Sequence, residues 1–324
     1  MRVFFTIACV FLLLNCNGKK DTQRYLSSSN GNINSISVVA DNLLWEDKVG
    51  ESIREVLAAP VVGLPQDDEP LFDLKQIPTQ VFDGFATKSR LILKVEKGDS
   101  TGVSIYRDVY AKPQTVAVIK GTTDQEIIDQ LNINSEKIID AFTKEEIKEK
   151  LNRINKSLLD DTTMETQLGF TIDIPSVYRI AIGNDDFFWI RKNLSTTENM
   201  ALMFYEVPLD SIRKGDSTVV DIVNLRDKIL AEKIPGEEGI VMSTEDDYAP
   251  SLFKTIIDNK PAYETKGLWE IKGAYMSGPF VNYAIEDKIN NRYLIAEGYV
   301  YAPRLDKRKY VFELEAIIKS IKIQ

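Results

Sequence analysis

Residues 292–321 read RYLIAEGYVYAPRLDKRKYVFELEAIIKSI and contain the two patterns that decide the fold. The first part, 292–301, has an alternating pattern that predicts a β-strand. The second part has apolar side chains at helical spacing, which predicts an amphipathic helix packed against that sheet. These apolar positions are Tyr310, Leu314, Ile317, Ile318 and Ile321.

The sequence before this stretch repeats the alternating pattern. Predicted strands lie at residues 168–175, 178–182, 187–192, 200–206, 262–266, 268–275 and 281–286. A helical segment at residues 219–234 separates the fourth strand from the fifth. Strands, a helix, more strands and a final helix are the order of an α+β sandwich with an antiparallel sheet. In order and texture, this half is similar to the Mog1/PsbP-like fold.

The first part of the chain has the same mixture of elements. Predicted strands lie at residues 36–40, 90–96, 103–106 and 115–119. Asp41 is a plausible cap of a first helix, Thr123 and Glu126 form a capping box, and a longer helix starts near Ser135. We therefore predict the α+β class, with two α/β sandwich-like halves at residues 36–160 and 165–324. Mainly antiparallel sheets are expected, and each half is large enough for its own core.

The amino terminus has the pattern of an exported, lipid-modified protein. The apolar run at residues 3–14 is too short for a membrane-spanning helix, which needs about 20 residues. Residues 13–16 (LLNC) resemble the lipobox of bacterial lipoproteins, in which cleavage leaves the cysteine as the lipidated first residue. We therefore predict a signal peptide at residues 1–15, lipidation of Cys16 and a flexible tether over residues 16–35.

The composition excludes several classes of chemistry. The chain has 324 residues and no histidine, so it cannot hold a Ser-His-Asp triad, a histidine-ligated zinc or an imidazole proton shuttle. Its two cysteines, Cys9 and Cys16, both lie in the region assigned to the signal peptide and the anchor. Because 49 acidic residues outnumber 40 basic ones, we expect no nucleic-acid partner.

Four carboxylates, of Asp67, Asp68, Glu69 and Asp73, lie close together on a proline-bounded turn. Carboxylate oxygens are ligands of Ca²⁺, which makes the cluster a candidate binding site. The spacing and the glycine of an EF-hand are missing, and acidic turns are usually just hydrated. The glycine-rich fingerprints of phosphate-binding loops are missing as well. We therefore predict no metal and no cofactor, and keep the four residues as binding candidates.

Aromatic residues gather near the carboxyl terminus. Tyr299 and Tyr301 are two positions apart in a predicted strand, so they share one face of the sheet. Such a face suits a ligand-stacking platform or a partner surface, although aromatics at this spacing also fill sheet cores. With Trp269, these two tyrosines are candidate binding residues. The other late aromatics are Tyr275, Phe280, Tyr283 and Tyr293.

Several short motifs resemble the landmarks of one family. They are LPQ at residues 64–66, EP at 69–70, FDL at 72–74, YAKPQ at 110–114 and GFTIDIP at 169–175. They look like those of the envelope lipoproteins of Bacteroidetes-type bacteria that are grouped as domain of unknown function 4837. The resemblance spans residues from about 36 to 321. It implies an address and a domain extent but no reaction, because the family has no established activity.

The leading hypothesis is a lipid-anchored, non-catalytic binding or assembly module of the cell envelope. Its N-terminal lipid is expected to hold it at a membrane, which we predict to be the outer one on its periplasmic or surface side, and an envelope protein is the expected partner. One alternative is a histidine-free hydrolase of envelope glycan, since glycoside hydrolysis needs only two suitably spaced carboxylates. Another is a small-ligand binder that uses the late aromatic face.

Overall fold

The computed structural model describes residues 25–64, 69–184, 186–234 and 241–324. It contains helices and mostly antiparallel sheets, which confirms the predicted α+β class. The helices are α1 (Asn42–Glu46), α2 (Lys48–Leu57), α3 (Asp124–Ile133), α4 (Ser135–Ile154), α5 (Thr162–Leu168), α6 (Thr218–Lys233) and α7 (Arg308–Ile318). Among these described helices, none combines the length and the hydropathy that a membrane-spanning helix requires.

The strands of the described residues belong to two large sheets and two small ones. They are β1 (Ser27–Ser28), β2 (Ser35–Val39), β3 (Asp73–Ile77), β4 (Leu91–Lys97), β5 (Gly102–Arg107), β6 (Ala111–Lys112), β7 (Thr115–Gly121), β8 (Phe170–Thr171), β9 (Arg179–Asn184), β10 (Phe187–Asn193), β11 (Asn199–Pro208), β12 (Met242–Thr244), β13 (Ser251–Ile257), β14 (Lys260–Ile271), β15 (Met276–Asp287), β16 (Arg292–Tyr301) and β17 (Lys322–Ile323). Two-residue strands form the small sheets, in which β1 pairs with β6 and β8 with β17.

The N-terminal half is built around a five-stranded sheet with the order β3-β2-β4-β7-β5. Neighbouring strands from β3 to β7 run parallel, and β5 runs antiparallel to β7. This half therefore differs from the mainly antiparallel pairing that we predicted for it. The reason is visible in β2 and β7, whose sequences SISVV and TVAVIKG are nearly continuous buried runs. Such runs are typical of parallel strands that are covered on both faces.

Helices cover one face of this sheet, and irregular segments cover the other. α2, α3 and α4 pack on the first face through Ile53, Leu131 and Phe142. Phe82 and Tyr110 lie against the opposite face. The predicted capping box is confirmed at α3, where the Thr123 side chain accepts a hydrogen bond from the backbone N–H of Glu126.

The end of the predicted tether is packed onto this half. Arg90 and Glu146 form a buried ion pair with a 2.6 Å separation. The Arg90 guanidinium also donates to the backbone oxygen of Asn32 at 2.9 Å, and Glu146 accepts from the Asn34 N–H at 2.6 Å. Because its backbone groups form hydrogen bonds with this buried ion pair, the segment from β1 onward is part of the folded domain. The predicted signal peptide and Cys16 lie outside the described residues.

The C-terminal half is built around an antiparallel sheet of eight strands, counted over the described residues. Its order is β12-β14-β15-β16-β11-β10-β9, and β13 pairs with β14 beside β12. α7 packs on one face and α6 on the other. A Cβ atom on Gly298 would lie 2.9 Å from Leu314 Cβ, so glycine lets α7 approach β16 closely. The strand and helix predicted within residues 292–321 are confirmed as β16 and α7.

The two halves share an apolar core and are also connected by polar contacts. We call this region of contact between the halves the joint. Leu64 and Ile154 of the N-terminal half belong to the apolar core beneath α7. The buried Glu69 carboxylate accepts hydrogen bonds from the backbone N–H groups of Lys307 at 2.9 Å and Arg308 at 2.7 Å. These donors belong to the first turn of α7, whose N–H groups have no acceptor within the helix. A side chain of one half therefore caps a helix of the other.

Glu313 of α7 forms a second polar contact across the joint. Its carboxylate binds Lys150 of α4 at 2.7 Å and Lys192 of β10 at 2.6 Å, and it accepts from the Tyr178 hydroxyl at 3.0 Å. Burial raises the pKa of Glu313, but the two ammonium groups outweigh burial and hold the pKa below its ordinary value. The carboxylate is therefore ionised at neutral pH.

A buried ion pair fixes α6 on its face of the sheet. Arg226 Nε donates to Glu297 Oε1 at 2.8 Å, and both side chains have no exposed area. Asn282 donates to the other Glu297 oxygen at 2.9 Å, and the guanidinium lies 4.0 Å from the centre of the Phe280 ring. Burial raises the pKa of Glu297, and Arg226 offsets part of that rise. The position of α6 thus depends on this pair remaining complete.

Replacing Glu69 with alanine should weaken the joint, because two N–H groups of α7 lose their acceptor. We expect the free energy of unfolding to fall by about 2 kcal/mol in urea denaturation followed by circular dichroism. The matched control is Glu55→Ala on the exposed side of α2, which should change it by less than about 0.5 kcal/mol. Equal, small effects of the two substitutions would contradict a stabilising role for Glu69.

Replacing Arg226 with methionine should leave Glu297 buried and unpaired. We expect the free energy of unfolding to fall by about 3–5 kcal/mol in the same measurement. The double variant Arg226→Met/Glu297→Met should recover most of the loss, because it removes the buried charge together with its partner. A double variant that is less stable than the single one would show that the pair itself stabilises the fold.

Candidate functional site

The structure places the acidic candidates at the joint between the halves. Glu69 caps α7, and the exposed Asp73 binds the Arg308 guanidinium at 2.7 Å. Asp67 and Asp68 lie outside the described residues. In the part of the chain that the structure describes, no group of three or more acidic or thiol side chains is arranged to hold a metal ion. The described members of the acidic cluster therefore serve the packing of the halves.

The structure brings the three aromatic candidates together. The Trp269 ring centre lies 5.4 Å from that of Tyr299 and 6.1 Å from that of Tyr301. Trp189 joins them, because its indole N–H donates to the Tyr299 hydroxyl at 3.2 Å. Four rings from β10, β14 and β16 thus lie next to one another on the face of the sheet that α6 covers.

These rings line an open cavity of about 180 Å³, which we call the aromatic pocket. Trp269 and Tyr299 are buried and form its floor, and the half-buried Trp189 and Tyr301 stand nearer to solvent. Ile234, which directly follows α6, also lines the pocket, so the end of the helix lies beside it. Its other lining residues are Arg191, Asn199, Met242, Ile271 and Met276.

The floor of the pocket is uncharged. Burial raises the pKa of the Tyr299 phenol, although the hydrogen bond from Trp189 works in the opposite direction. The hydroxyl is therefore protonated at neutral pH. Trp269 donates its indole N–H to the backbone oxygen of Val300 at 3.2 Å, so its ring is fixed in place. These fixed, neutral rings give the pocket a rigid apolar lining against which a ligand ring can pack.

One of the side chains that line the pocket, that of Arg191, is positively charged. The Arg191 guanidinium lies 4.7 Å from the Trp189 ring centre, within cation–π range. Its Nε atom is buried and has no hydrogen-bond partner among the described residues. Sequence reasoning missed both Trp189 and Arg191. The signal was present, because alternation along FFWIRKN (residues 187–193) puts the two side chains on one face of β10.

A second cavity lies at the joint, and its volume is about 220 Å³. Lys266 lies between two carboxylates there, 2.6 Å from Glu315 and 3.2 Å from Glu264. Tyr283 donates its hydroxyl to Glu264 at 2.9 Å. Asn34, Phe72 and Thr143 of the N-terminal half complete the lining together with residues of α7. We call this space the junction cavity.

The electrostatics of the junction cavity are those of an ion cluster. Burial would lower the pKa of Lys266, but Glu315 and Glu264 outweigh burial and raise it above its ordinary value. Burial raises the pKa of Glu315, but Lys266 and Lys319 outweigh burial and hold that pKa below its ordinary value. A glycosidase acid needs a raised carboxyl pKa, and Glu315 shifts in the opposite direction.

Two family models match the sequence. The model described as Domain of unknown function (DUF4837) matches residues 157–320. Residues 29–155 match another, described as Domain of unknown function (DUF8532). The DUF4837 match is thus narrower than the expected span of about residues 36 to 321, and a separate family describes the N-terminal half. A search of curated protein sequences found no match.

Solved structures align with about half of this chain at low sequence identity and low TM-score. Cyanobacterial PsbP from Synechocystis has 14% identity and a TM-score of 0.34, over 51% of this chain and 89% of that one. The Saccharomyces cerevisiae Ran-binding protein Mog1p has 11% identity and a TM-score of 0.33, over 48% and 90%. Another solved structure that aligns with this chain is that of LpqN of Mycobacterium tuberculosis, which is described as involved in cell envelope biogenesis.

LpqN has 10% identity and a TM-score of 0.28, and the match covers 48% of this chain and 83% of LpqN. PsbP and Mog1 are the two proteins after which the expected fold of the C-terminal half is named. The family assignment rests on sequence alone. Because the DUF4837 model covers half of the 324 residues, the chain belongs to the DUF4837 family of domains of unknown function.

Proposed function

We propose that this protein is a non-catalytic binding module of the cell envelope, anchored by a lipid on Cys16, and that its ligand binds in the aromatic pocket. The observation that carries the proposal is that Trp269, a member of the buried cluster under α6, and Tyr301, which packs against that cluster, both line an open cavity. At about 180 Å³, the cavity is below the range of about 300–1,000 Å³ for drug-sized ligands, so it suits a single ring.

The contacts in the junction cavity favour a binding function for this protein over a hydrolase function. The cavity does bring Glu264 and Glu315 close together, as glycoside hydrolysis requires. However, Lys266 lies between the two carboxylates and contacts both of them. Although burial raises the pKa of Glu315, Lys266 and Lys319 hold that pKa below its ordinary value, whereas the reaction needs a protonated carboxyl group.

The lipid anchor is supported by the sequence of the amino terminus. Residues 13–16 resemble a lipobox, and Cys16 would be the first residue after cleavage. The lipid would hold the two halves at a membrane surface, because several acyl chains together give stable anchoring. The aromatic pocket would then be presented to ligands on the side of the membrane that the anchored protein faces.

Ring binding in the aromatic pocket should change tryptophan fluorescence and raise the melting temperature. We would titrate glucose, N-acetylglucosamine and glucuronate into the Trp45→Phe variant, in which Trp189 and Trp269 are the remaining tryptophans. At 100 times its Kd, a bound sugar should raise the melting temperature by about 5 °C or more. Tyr301→Ala should abolish both signals.

The matched control for this titration is Tyr106→Ala, which truncates an exposed tyrosine on β5 of the other half. It should leave the fluorescence change and the melting shift intact. A response that survives Tyr301→Ala would place the binding elsewhere. The absence of any response to all three sugars would argue against a saccharide-binding pocket.

Replacing Cys16 with serine should release the protein from the membrane, because no lipid can then be attached. Fractionation of cells followed by immunoblotting should find the variant in the soluble fraction. Cys9→Ser is the control, since Cys9 lies within the predicted signal peptide and is expected to be removed. A Cys16→Ser variant that stays with the membrane would contradict lipid anchoring at this residue.

A further inference from the structure

Two arginines face each other across neighbouring strands next to the aromatic pocket. Arg191 of β10 and Arg179 of β9 are direct partners in the register of the sheet. Directly opposed residues of antiparallel strands project from the same face, and like charges in such positions repel each other. We call these two residues the arginine pair. The chain has more acidic than basic residues, so the juxtaposition does not follow from its composition.

Neither member of the arginine pair has an ion-pair partner among the described residues. The arginines that do form ion pairs there are other ones. With Val177, Ala181 and Asn193, the arginine pair lines a surface depression of about 370 Å³ that shares Arg191 with the aromatic pocket. The two spaces therefore adjoin at one guanidinium. An anion placed there would meet two cations and relieve their mutual repulsion.

The Nε atom of Arg191 gives further support. Its Nε–H is buried without an acceptor, while the guanidinium lies over Trp189. A buried donor without a partner is unfavourable until something accepts its hydrogen bond. The planar guanidinium binds a carboxylate through two parallel hydrogen bonds, which an ammonium group cannot reproduce.

Two polar side chains that line the pocket indicate which other groups the ligand carries. The Asn199 amide and the Tyr301 hydroxyl line the pocket, and neither has a side-chain hydrogen bond within the described residues. They lie directly opposite each other in the pairing of β11 with β16. A ring that packs against the aromatic side chains of the pocket and carries hydroxyl groups at its edge would satisfy both. A saccharide has this combination of an apolar C–H face and a polar edge.

We propose that the aromatic pocket and the arginine pair together bind an acidic saccharide unit. Its ring packs against the aromatic side chains of the pocket, its hydroxyls bond Asn199 and Tyr301, and its carboxylate binds Arg191 with Arg179 beside it. The proposal rests on the proposed function, since it assigns a ligand class to the same pocket. An aromatic carboxylate would leave the rim groups unpaired, and inorganic phosphate would leave the aromatic floor empty.

The test compares four probes on the mature chain in detergent micelles by isothermal titration calorimetry. They are glucuronate, glucose, benzoate and inorganic phosphate. Glucuronate should bind at least about tenfold more tightly than each of the other three. Arg191→Gln should reduce the affinity for glucuronate to that for glucose in the unmodified protein. Arg179→Gln, at an exposed position, should reduce the glucuronate preference in part.

The matched control is Arg54→Gln, which removes the same charge from a similar stacking contact in the other half. The Arg54 guanidinium lies 4.8 Å from the Trp45 ring centre. This variant should bind glucuronate like the unmodified protein. If Arg191→Gln fails to fold, Arg179→Gln still decides the outcome, since an unchanged preference in that variant would overturn the role of the pair.

The other outcomes separate this proposal from the proposed function. Equal binding of glucose and glucuronate, both lost in Tyr301→Ala, would leave the binding function intact and overturn the acidic ligand. Tighter binding of benzoate or phosphate than of glucuronate would overturn the saccharide assignment. If none of the four probes binds, both proposals fall.

Discussion

The capping of α7 by Glu69 is the interaction on which the arrangement of the molecule depends. A helix terminus has free N–H groups that need acceptors, and here a buried carboxylate from the other half supplies them. The same helix covers the core face of the large sheet and uses Glu313 to bind Lys150 of α4. Because α7 contacts the large sheet, the Glu69 carboxylate and α4, it fixes the position of one half relative to the other.

The opposite face of that sheet carries the aromatic pocket, to which we assign the proposed ligand. α6 is held there by the Arg226–Glu297 pair, and beyond its last turn the aromatic side chains line an open pocket. A rigid sheet floor supports binding, because ring positions that are fixed in advance reduce the entropy lost when a ligand is bound. The same strands place Arg191 beside the rings, so apolar and charged recognition meet on one surface.

Periodicity predicted the elements better than their pairing. The apolar stripe of residues 310–321 predicted α7, and alternation in 292–301 predicted β16, because side-chain spacing reflects local geometry directly. The parallel pairing of β2 with β4 was missed, since strand direction depends on how distant segments cross over. For the site, the shared face of Tyr299 and Tyr301 was predictable, whereas their proximity to Trp189 and Arg191 required the pairing of β10 with β11 and of β11 with β16.

The sequence by itself determined the α+β class, the absence of histidine and free-thiol chemistry from the body of the protein, and the candidate aromatic residues. These properties follow from composition and from spacing along the chain, which need no knowledge of long-range contacts. Only the tertiary structure decided that Glu69 caps a helix more than 200 residues away, and that Arg179 and Arg191 face each other with no ion-pair partner for either among the residues that the structure describes. Such contacts join residues that are distant in sequence, and they form only when the whole core packs.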